Sequence, residues 1–189
     1  MKKGVALLLA ATATAFVAST AQAAHRADSA ASAGLSCKKT LKIAFVTPLT
    51  GGAGFLGAEQ SIWAKYAVKT LAPKLGLHIQ LVLGDTPVEQ GPAPAQALAQ
   101  KYVADKSVVG ILGPSTSGAV AASSATYAAA GLAHISPSAT RTSLTQGSPR
   151  EATSAFLRVV PGDYIQGPSD ANFMVSQLKV KKVVIMDFQ

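Results

Sequence analysis

The fold is decided by residues 108–140, which read VVGILGPSTSG (108–118), AVAASSATYAAAG (119–131) and LAHISPSAT (132–140). The VVGIL run is typical of a strand buried on both faces of a sheet. The Ala-rich segment predicts a helix that stops at Gly131, because glycine favours the left-handed conformation in which many helices end. The third segment begins with another apolar run, so the order is strand, helix, strand.

Hydroxyl side chains are concentrated in the two loops that follow these strands. Ser115, Thr116 and Ser117 are placed at the N-terminus of the predicted helix, where unpaired N–H groups and the helix dipole favour an anion. Residues 136–140 leave the carboxyl end of the next strand. Because ligands of open α/β sheets bind beyond those strand ends, both loops are expected to face one small ligand. Ordinary helix capping is the alternative role for Ser117 and Thr140.

The alternation of short apolar runs with amphipathic segments continues on both sides of this unit. It predicts strands at 42–46, 78–83, 108–112, 132–136, 156–160 and 183–186, and helices at 58–71, 95–103, 119–130 and 163–178. This order predicts an α/β fold with a doubly wound parallel sheet. Pro168 is expected to kink or shorten the last helix. Pro161-Gly162 breaks the chain before that helix, which places a first lobe at 41–161 and the beginning of a second at 162–189.

The N-terminus has the organisation of a secretory signal peptide. Met1-Lys2-Lys3 precedes an apolar run, and Ala21-Gln22-Ala23 supplies small residues for cleavage, so 1–23 is expected to be removed. A membrane span is the alternative, but the run falls short of the ~20 apolar residues needed and is rich in Ala and Thr. The mature chain is therefore expected to be periplasmic or otherwise extracytoplasmic. Residues 24–40, rich in Ala and Ser, are expected to form a flexible arm.

Cys37 is the only cysteine, so no internal disulfide can form. Gly34-Leu35-Ser36 before it is a poor match to a lipoprotein cleavage site. The sequence therefore favours a free thiol over lipid attachment. At the other end, the segment KKVVIMDFQ (181–189) stops just after a predicted strand, and we expect the sequence to be the N-terminal fragment of a longer protein.

Charge and composition argue against several classes of function. The formal net charge is +8, but the positive residues are scattered and do not interleave with aromatic residues, so nucleic-acid binding is not expected. The sequence has no H-E-x-x-H, no cysteine pair and no G-x-S-x-G. We expect no metal, no cofactor and no enzymatic activity. His134 is expected to be a satisfied core histidine, and Trp63 and Tyr66 are expected to lie in the core.

One motif favours a different function. Gly52-Ala53-Gly54-Phe55-Leu56-Gly57 fits the G-x-G-x-x-G pattern of dinucleotide sites, and Asp85 ends the next predicted strand, where a ribose-binding acid would lie. The dinucleotide turn is tight, however, whereas here residues 47–51 separate the strand from the first glycine. The acid is also further along the chain than the usual ~20 residues. A nucleotide-dependent α/β enzyme stays an alternative.

Several of these stretches together resemble a known family. They are the signal peptide, KIAFVTPLTGGAGFLG (42–57), GILGPSTSGAVAAS (110–123), GLAHISPSAT (131–140), LTQG (144–147) and FLRVVPGDYIQG (156–167). This set resembles the type I periplasmic binding proteins of ABC transporters, in the leucine/isoleucine/valine-binding branch. The resemblance implies two α/β lobes that close over one ligand, and a closed form that docks on a membrane permease. It implies a monomer that binds an amino acid, with a branched-chain amino acid expected and a related small amide as the alternative.

The resemblance also implies roles for individual residues. Ser117 matches a serine that binds the ligand α-carboxylate, and Thr140 a threonine that contacts both the carboxylate and the ammonium. Ser138 matches a residue whose backbone carbonyl accepts from the ammonium, and Ala139 is assigned to the same ligand-binding loop. Leu56 falls where the family often has an aromatic wall residue.

The identity of the ligand, and the choice between transport and sensing, stay open. The family's acidic partner for the ammonium would lie beyond Gln189, and the loop around Asp85 is longer than in leucine-binding members and lacks their disulfide. The exact ligand therefore stays undetermined. A ligand-sensing domain of a receptor with the same fold is a further alternative to a transport protein.

Overall fold

The structure is a computed structural model that describes residues 39–186. Its strands are β1 (Leu41–Thr47), β2 (Ile79–Asp85), β3 (Val108–Leu112), β4 (His134–Ser136) and β5 (Phe156–Arg158). Its α-helices are α1 (Gly54–Thr70), α2 (Ala93–Ala104), α3 (Ser117–Ala129) and α4 (Asp163–Ser176). Short 3₁₀ turns lie at Pro73–Leu75, Val88–Gln90 and Thr142–Leu144. The predicted signal peptide, most of the predicted arm and Cys37 lie outside the described residues.

The five strands form one parallel sheet in the order β2-β1-β3-β4-β5. The chain therefore starts near the middle of the sheet, moves outward to β2, crosses back, and continues outward to β5. This confirms the predicted doubly wound α/β fold. Because all strands run the same way, their carboxyl ends meet at one edge, and the loops that leave that edge are neighbours in space.

Helices α2 and α3 cover one face of the sheet. Their side chains pack on β1 and β3 in a core that contains Ala44, Val46, Ala99, Tyr102, Val108, Ile111 and Tyr127. A second apolar cluster lies next to it and contains Val120, Ala139, Leu144, Ala152 and Phe156. The second cluster matters for function, because it packs the segment that follows β4 against α3 and β5.

Helix α1 packs on the opposite face through its small side chains. Gly57, Ser61 and Ala64 are the buried residues of this helix. Because these positions lie three or four residues apart, they form one side of the helix and leave the other side in solvent. Trp63 and Tyr66 lie on that outer side and are 66% and 59% exposed. The prediction that they belong to the core is wrong.

The sheet face beneath α1 is covered only in part by the described residues. An apolar cavity of about 320 Å³ opens beside the helix, and it is lined by Ile43, Ala64, Ala67, Val68, Leu81, Gly110, Ile111, Leu112, Ala133 and Ile135. Val109 is 48% exposed, so VVGIL is not buried on both faces as predicted. A β-bulge lies at this position: Lys42 pairs with Val108 and Ile43 with Gly110, which leaves Val109 as the extra residue.

The C-terminal part of the described chain differs from its predicted structure. Residues 183–186 form no strand, and their apolar side chains are between 62% and 91% exposed. A strand is stable only when it hydrogen-bonds to a neighbour, and within residues 39–186 no strand lies beside this segment. Helix α4 contains Pro168 within its span and has no buried residue. The boundary between lobes at residue 161 stays a prediction.

Close packing between α1 and the preceding loop generates a first prediction. A Cβ atom on Gly57 would lie 1.8 Å from the carbonyl oxygen of Pro48, and this backbone atom cannot move without displacing the loop. We expect Gly57→Ala to lower the free energy of unfolding by about 1–3 kcal/mol, measured by urea denaturation. Gly118→Ala is the matched control, because its Cβ would meet open space. Equal stability of Gly57→Ala and the parent would contradict the observed packing.

His134 lies in the core, as predicted, but it is not fully satisfied. It is completely buried between Tyr127 and Phe156, with ring centroids 5.4 Å away on each side. Its Nε2 atom is 2.9 Å from the Ser124 hydroxyl. Its Nδ1 atom has no hydrogen-bonding partner among the described residues. A protonated ring would therefore have a charge in an apolar site with little compensation.

This environment predicts a pH-dependent stability. Burial lowers the pKa of His134, whereas a histidine in the unfolded chain titrates near ~6.5. The unfolded state thus binds the proton more readily, so the free energy of unfolding is expected to fall as the pH drops below about 6.5. Urea denaturation at about pH 7.5 and about pH 5.5 measures this fall. The fall in the free energy of unfolding should be smaller in His134→Gln. It should persist in His78→Gln, because His78 is exposed. An unchanged fall in His134→Gln would show that His134 does not cause the pH dependence.

Candidate functional site

The candidate site lies at the carboxyl edge of the sheet, where the segments after β3 and β4 meet. We call residues 113–117 the Ser117 loop and residues 136–141 the Thr140 loop. Three hydrogen bonds join them: Ser136 Oγ to the Pro114 carbonyl at 2.6 Å, Ser138 Oγ to the Ser115 carbonyl at 2.6 Å, and the Arg141 N–H to Ser117 Oγ at 3.2 Å. The two loops predicted to share an edge therefore lie in direct contact.

Ser117 is the first residue of α3, and Thr116 is its N-cap. The Thr116 side chain makes no capping hydrogen bond, and Ser117 Oγ accepts from the Arg141 N–H across the loops. Capping therefore does not account for the hydroxyl groups at this helix start. The first N–H groups of a helix have no carbonyl acceptor within it, so the start of α3 presents donors and the positive end of the dipole to a ligand.

Thr140 lies next to Ser117 because its neighbour Arg141 bonds to that serine. The carbonyl of Thr140 accepts from the Asp163 N–H at 2.9 Å, which ties the loop to the start of α4. Within residues 39–186, the Thr140 hydroxyl has no hydrogen-bonding partner. It is half-buried and can both donate and accept.

Ser138 uses its hydroxyl within the protein and leaves its backbone carbonyl available to a ligand. Its hydroxyl donates to the Ser115 carbonyl and accepts from Gln60 Nε2 at 3.0 Å, so it is fully used within the protein. Its backbone carbonyl has no partner among the described residues. Ala139 is different: its side chain is completely buried, its N–H donates to Ser136 Oγ at 2.9 Å, and its carbonyl accepts from Arg158 at 3.2 Å.

Gln60 is the residue that the sequence analysis missed. Its Oε1 atom accepts from Ser115 Oγ at 2.6 Å and from Thr47 Oγ1 at 3.3 Å, and its Nε2 atom donates to Ser138 Oγ. One amide therefore connects the end of β1 with the segments that follow β3 and β4. The only cue in the sequence is a polar residue on the side of α1 that also carries buried Gly57, and this pattern does not specify partners far along the chain.

Leu56 lies on the same helix as Gln60. It lies four residues before Gln60, and residues at that spacing share one side of a helix. Since Gln60 contacts Ser138, Leu56 lies on the side of α1 that faces the Thr140 loop. It is half-buried, whereas its neighbour Phe55 is 74% exposed.

The glycine-rich segment between β1 and α1 is occupied by the protein's own carboxylates. Asp85 accepts from the N–H of Leu49 at 2.6 Å, the N–H of Thr50 at 3.2 Å and the Thr50 hydroxyl at 2.5 Å. Glu89 accepts from the N–H of Gly52 at 2.6 Å. Burial alone would raise the pKa of Asp85, but these hydrogen bonds hold its pKa below the usual value. A pyrophosphate would need the same donors, which argues against a dinucleotide site.

The described residues contain neither a cluster of metal ligands nor a helix that could span a membrane. Within residues 39–186, no group of three or more His, Cys, Asp or Glu side chains is placed to hold a metal ion. Nor does any helix in this range combine the length and the apolar composition needed to cross a membrane.

Comparison with known protein families matches residues 40–188 to the family described as periplasmic binding protein. The match extends over both loops of the candidate site and over all five strands. The chain belongs to the periplasmic binding protein family. This confirms the family predicted from the motifs. A search among curated protein sequences finds no match.

Solved structures of this family share the fold. LivJ from Streptococcus pneumoniae, a branched-chain amino acid transporter substrate-binding protein in complex with isoleucine, is 30% identical with a TM-score of 0.64, over 75% of this chain and 39% of LivJ. The leucine-binding protein LivK from Thermotoga maritima is 27% identical with a TM-score of 0.64, over 74% of this chain and 38% of LivK.

A more distant similarity shows the fold alone. A solute-binding protein of an ABC transporter from R. palustris, in complex with 4-hydroxybenzoate, is 18% identical with a TM-score of 0.59, over 73% of this chain and 37% of that protein. Solved proteins with this fold therefore hold more than one class of ligand. The present chain spans less than two-fifths of the length of each of these three relatives.

The hydrogen bonds of Gln60 generate a prediction on stability. Gln60→Ala leaves the buried Ser115 and Thr47 hydroxyls without their amide partner, and we expect the free energy of unfolding to fall by about 1–3 kcal/mol. Gln100→Ala is the control, because Gln100 is exposed on α2 and its loss should change stability by less than about 0.5 kcal/mol. Urea denaturation measures both. Similar values for the two variants would show that Gln60 does not hold the strand ends together.

Proposed function

We propose that this protein is an extracytoplasmic substrate-binding protein of an ABC transporter that binds an amino acid and delivers it to a membrane permease. A branched-chain amino acid is the proposed ligand. The observation that carries the proposal is the contact between the start of α3 and the Thr140 loop, which brings anion donors and an unused carbonyl together. Identity of 30% to LivJ, which binds isoleucine, supports the same class of ligand.

The carboxylate of the ligand is assigned to the start of α3. The N–H groups of the first helical turn and the hydroxyls of Ser117 and Thr140 are the donors for its two oxygens. Hydrogen bonds to a charged group contribute roughly 1.5–3 kcal/mol each, about twice the value for neutral pairs. The positive end of the helix dipole adds to the attraction.

The ammonium of the ligand is assigned to the carbonyl of Ser138. In the Thr140 loop, the carbonyls of Ser136, Ala139, Thr140 and Arg141 already accept hydrogen bonds from Val159, Arg158, Asp163 and Arg158 respectively. This leaves the carbonyl of Ser138, with that of Pro137, as the available acceptors. A ligand that carries both a carboxylate and an ammonium satisfies both sets of groups, whereas an aromatic acid satisfies only the donors.

The side chain of the ligand is assigned to the surface that includes Leu56. Two or three charge-assisted bonds with burial of an aliphatic side chain reach the ~8 kcal/mol of micromolar binding only if water is excluded from all sides. We therefore propose that residues 41–161 supply one wall of the site, and that a second lobe, beginning at 162–189, closes over the ligand. Binding and release, without a chemical step, are the proposed activity.

Titration calorimetry tests the class of ligand. The protein, expressed from its complete reading frame, is titrated with leucine, with 4-methylpentanoate, which lacks the amine, and with 4-hydroxybenzoate. We expect micromolar binding of leucine and at least tenfold weaker binding of the two acids, because neither carries an ammonium beside its carboxylate to donate to Ser138. Equal or tighter binding of either acid would contradict the amino-acid assignment. Absence of binding by all three would contradict the proposed ligand class as a whole.

Thr140→Ala tests the threonine itself. In the protein expressed from its complete reading frame, we expect the substitution to weaken leucine binding by about tenfold or more, because it removes a hydroxyl assigned to the ligand carboxylate. Thr70→Ala is the matched control, because Thr70 is partly exposed at the end of α1 and its hydroxyl bonds to the Tyr66 carbonyl. Calorimetry measures both. An unchanged affinity of Thr140→Ala would remove Thr140 from the site.

A further inference from the structure

We propose that Arg158 is the positioning residue of this site. Its guanidinium fixes the Thr140 loop on the side away from the ligand and thereby orients the groups that bind the ligand. Arg158 itself does not contact the ligand. Arg158 is the last residue of β5 and is half-buried. The proposal rests on the function proposed above, since it assigns a role in ligand binding. Its structural part can be tested separately.

The guanidinium bridges both sides of Thr140. Its Nη1 atom donates to the carbonyls of Ala139 at 3.2 Å and of Arg141 at 3.0 Å, and its Nη2 atom donates to the Thr145 hydroxyl at 2.5 Å. The two residues that flank Thr140 in the chain are thus held by one side chain. Because the donors of arginine are arranged in a rigid planar fork, these bonds fix the orientation of the loop as well as its position.

These contacts also determine which carbonyl is left for a ligand. Arg158 occupies the carbonyls of Ala139 and Arg141, and the N–H of Asp163 occupies the carbonyl of Thr140 between them. Without Arg158, the carbonyl of Ala139 would become available, that of Arg141 would keep only the Leu144 N–H at 3.3 Å, and the loop could rotate. Arg158 therefore helps to determine that the ligand ammonium binds the carbonyl of Ser138, although Arg158 lies on the side of the loop away from the ligand.

Among the described residues, Arg158 has no carboxylate partner. The nearby acidic side chain Glu151 pairs with Arg141, at 2.8 Å, and with the Ser143 hydroxyl. All three acceptors of Arg158 are neutral. A half-buried cation held only by neutral groups is costly, which indicates that its geometry serves a purpose beyond charge balance.

Arg158 also contacts the segment that leads into α4. A Cβ atom on Gly162 would lie 2.7 Å from Arg158 Nη2 and 2.5 Å from Tyr164 Cε1, so a larger residue at this position would displace these side chains. The next residue, Asp163, donates its N–H to Thr140. The Thr140 loop and residues 162–163 are therefore held against the same side chain.

The test uses Arg158→Lys and Arg158→Met in the protein expressed from its complete reading frame. Leucine affinity is measured by calorimetry, and hydrogen exchange of the Asp163 amide reports on the bond to Thr140 without any ligand. We expect both variants to weaken binding and to accelerate exchange by about tenfold or more. The lysine variant keeps the charge but not the fork, so it separates geometry from electrostatic attraction.

Lys42→Met is the matched control. It removes the ion pair between Lys42 and Asp105, whose charged atoms are 2.8 Å apart. Lys42 is the second residue of β1 and Asp105 precedes β3, so the pair lies at the amino edge of the sheet. We expect this variant to lower the melting temperature without changing leucine affinity or Asp163 exchange. If it weakens binding as much as Arg158→Met at an equal loss of melting temperature, Arg158 acts only through global stability and the proposal is wrong.

The remaining outcomes are also decisive. Parent-like leucine affinity in Arg158→Lys would show that charge alone is needed. Unchanged hydrogen exchange of Asp163 in both variants would show that the loop does not depend on Arg158. Either result overturns the proposal. If the parent binds no amino acid, the proposed function fails while the exchange measurement still decides the positioning role. Should Arg158→Met fail to fold, Gly162→Ala replaces it, because its methyl group displaces the guanidinium and should accelerate Asp163 exchange.

Discussion

The Gln60 amide is the interaction on which the carboxyl edge of the sheet depends. Parallel strands end at one edge, but nothing in the backbone ladder fixes how the loops beyond that edge are arranged. Gln60 supplies this by bonding to Thr47, the last residue of β1, and to Ser115 and Ser138, which follow β3 and β4. The bonds among the loops then hold the start of α3 against the Thr140 loop. A buried polar network of this kind is stable only when its members are satisfied, so each loop constrains the others.

The ligand-binding capacity of the edge follows from which polar groups this network leaves unused. The protein occupies the donors of the glycine-rich segment with Asp85 and Glu89, and occupies the carbonyls around Thr140 with Arg158 and Asp163. In the Ser117 and Thr140 loops, the remaining groups include the first N–H groups of α3, the Thr140 hydroxyl and the carbonyls of Pro137 and Ser138. Donors on one side and an acceptor on the other match a zwitterion. Membership of the periplasmic binding protein family is consistent with this use of the edge.

Much of this arrangement could be predicted from local sequence patterns. Apolar runs of strand length, glycine after the Ala-rich helix and hydroxyls between them were enough to place Ser117 at a helix start beside the Thr140 loop. Gln60 and Arg158 could not be found in this way, because their partners lie far along the chain and either residue also suits a solvated surface. The exposure of Trp63 depends on which side of α1 faces the sheet. The small residues of α1, and not its aromatic residues, determine that side.

The assignment of the ligand to the Ser117 and Thr140 loops is tested by mapping backbone amide shifts with nuclear magnetic resonance while the protein, expressed from its complete reading frame, is titrated with leucine. Among residues 39–186, we expect the largest shifts on Ser117, Gly118 and residues 138–141. Leucinamide, which lacks the carboxylate, should lose the shifts at Ser117 and Gly118. Largest shifts in the glycine-rich segment 51–57, with Ser117 and Thr140 unchanged, would contradict this assignment.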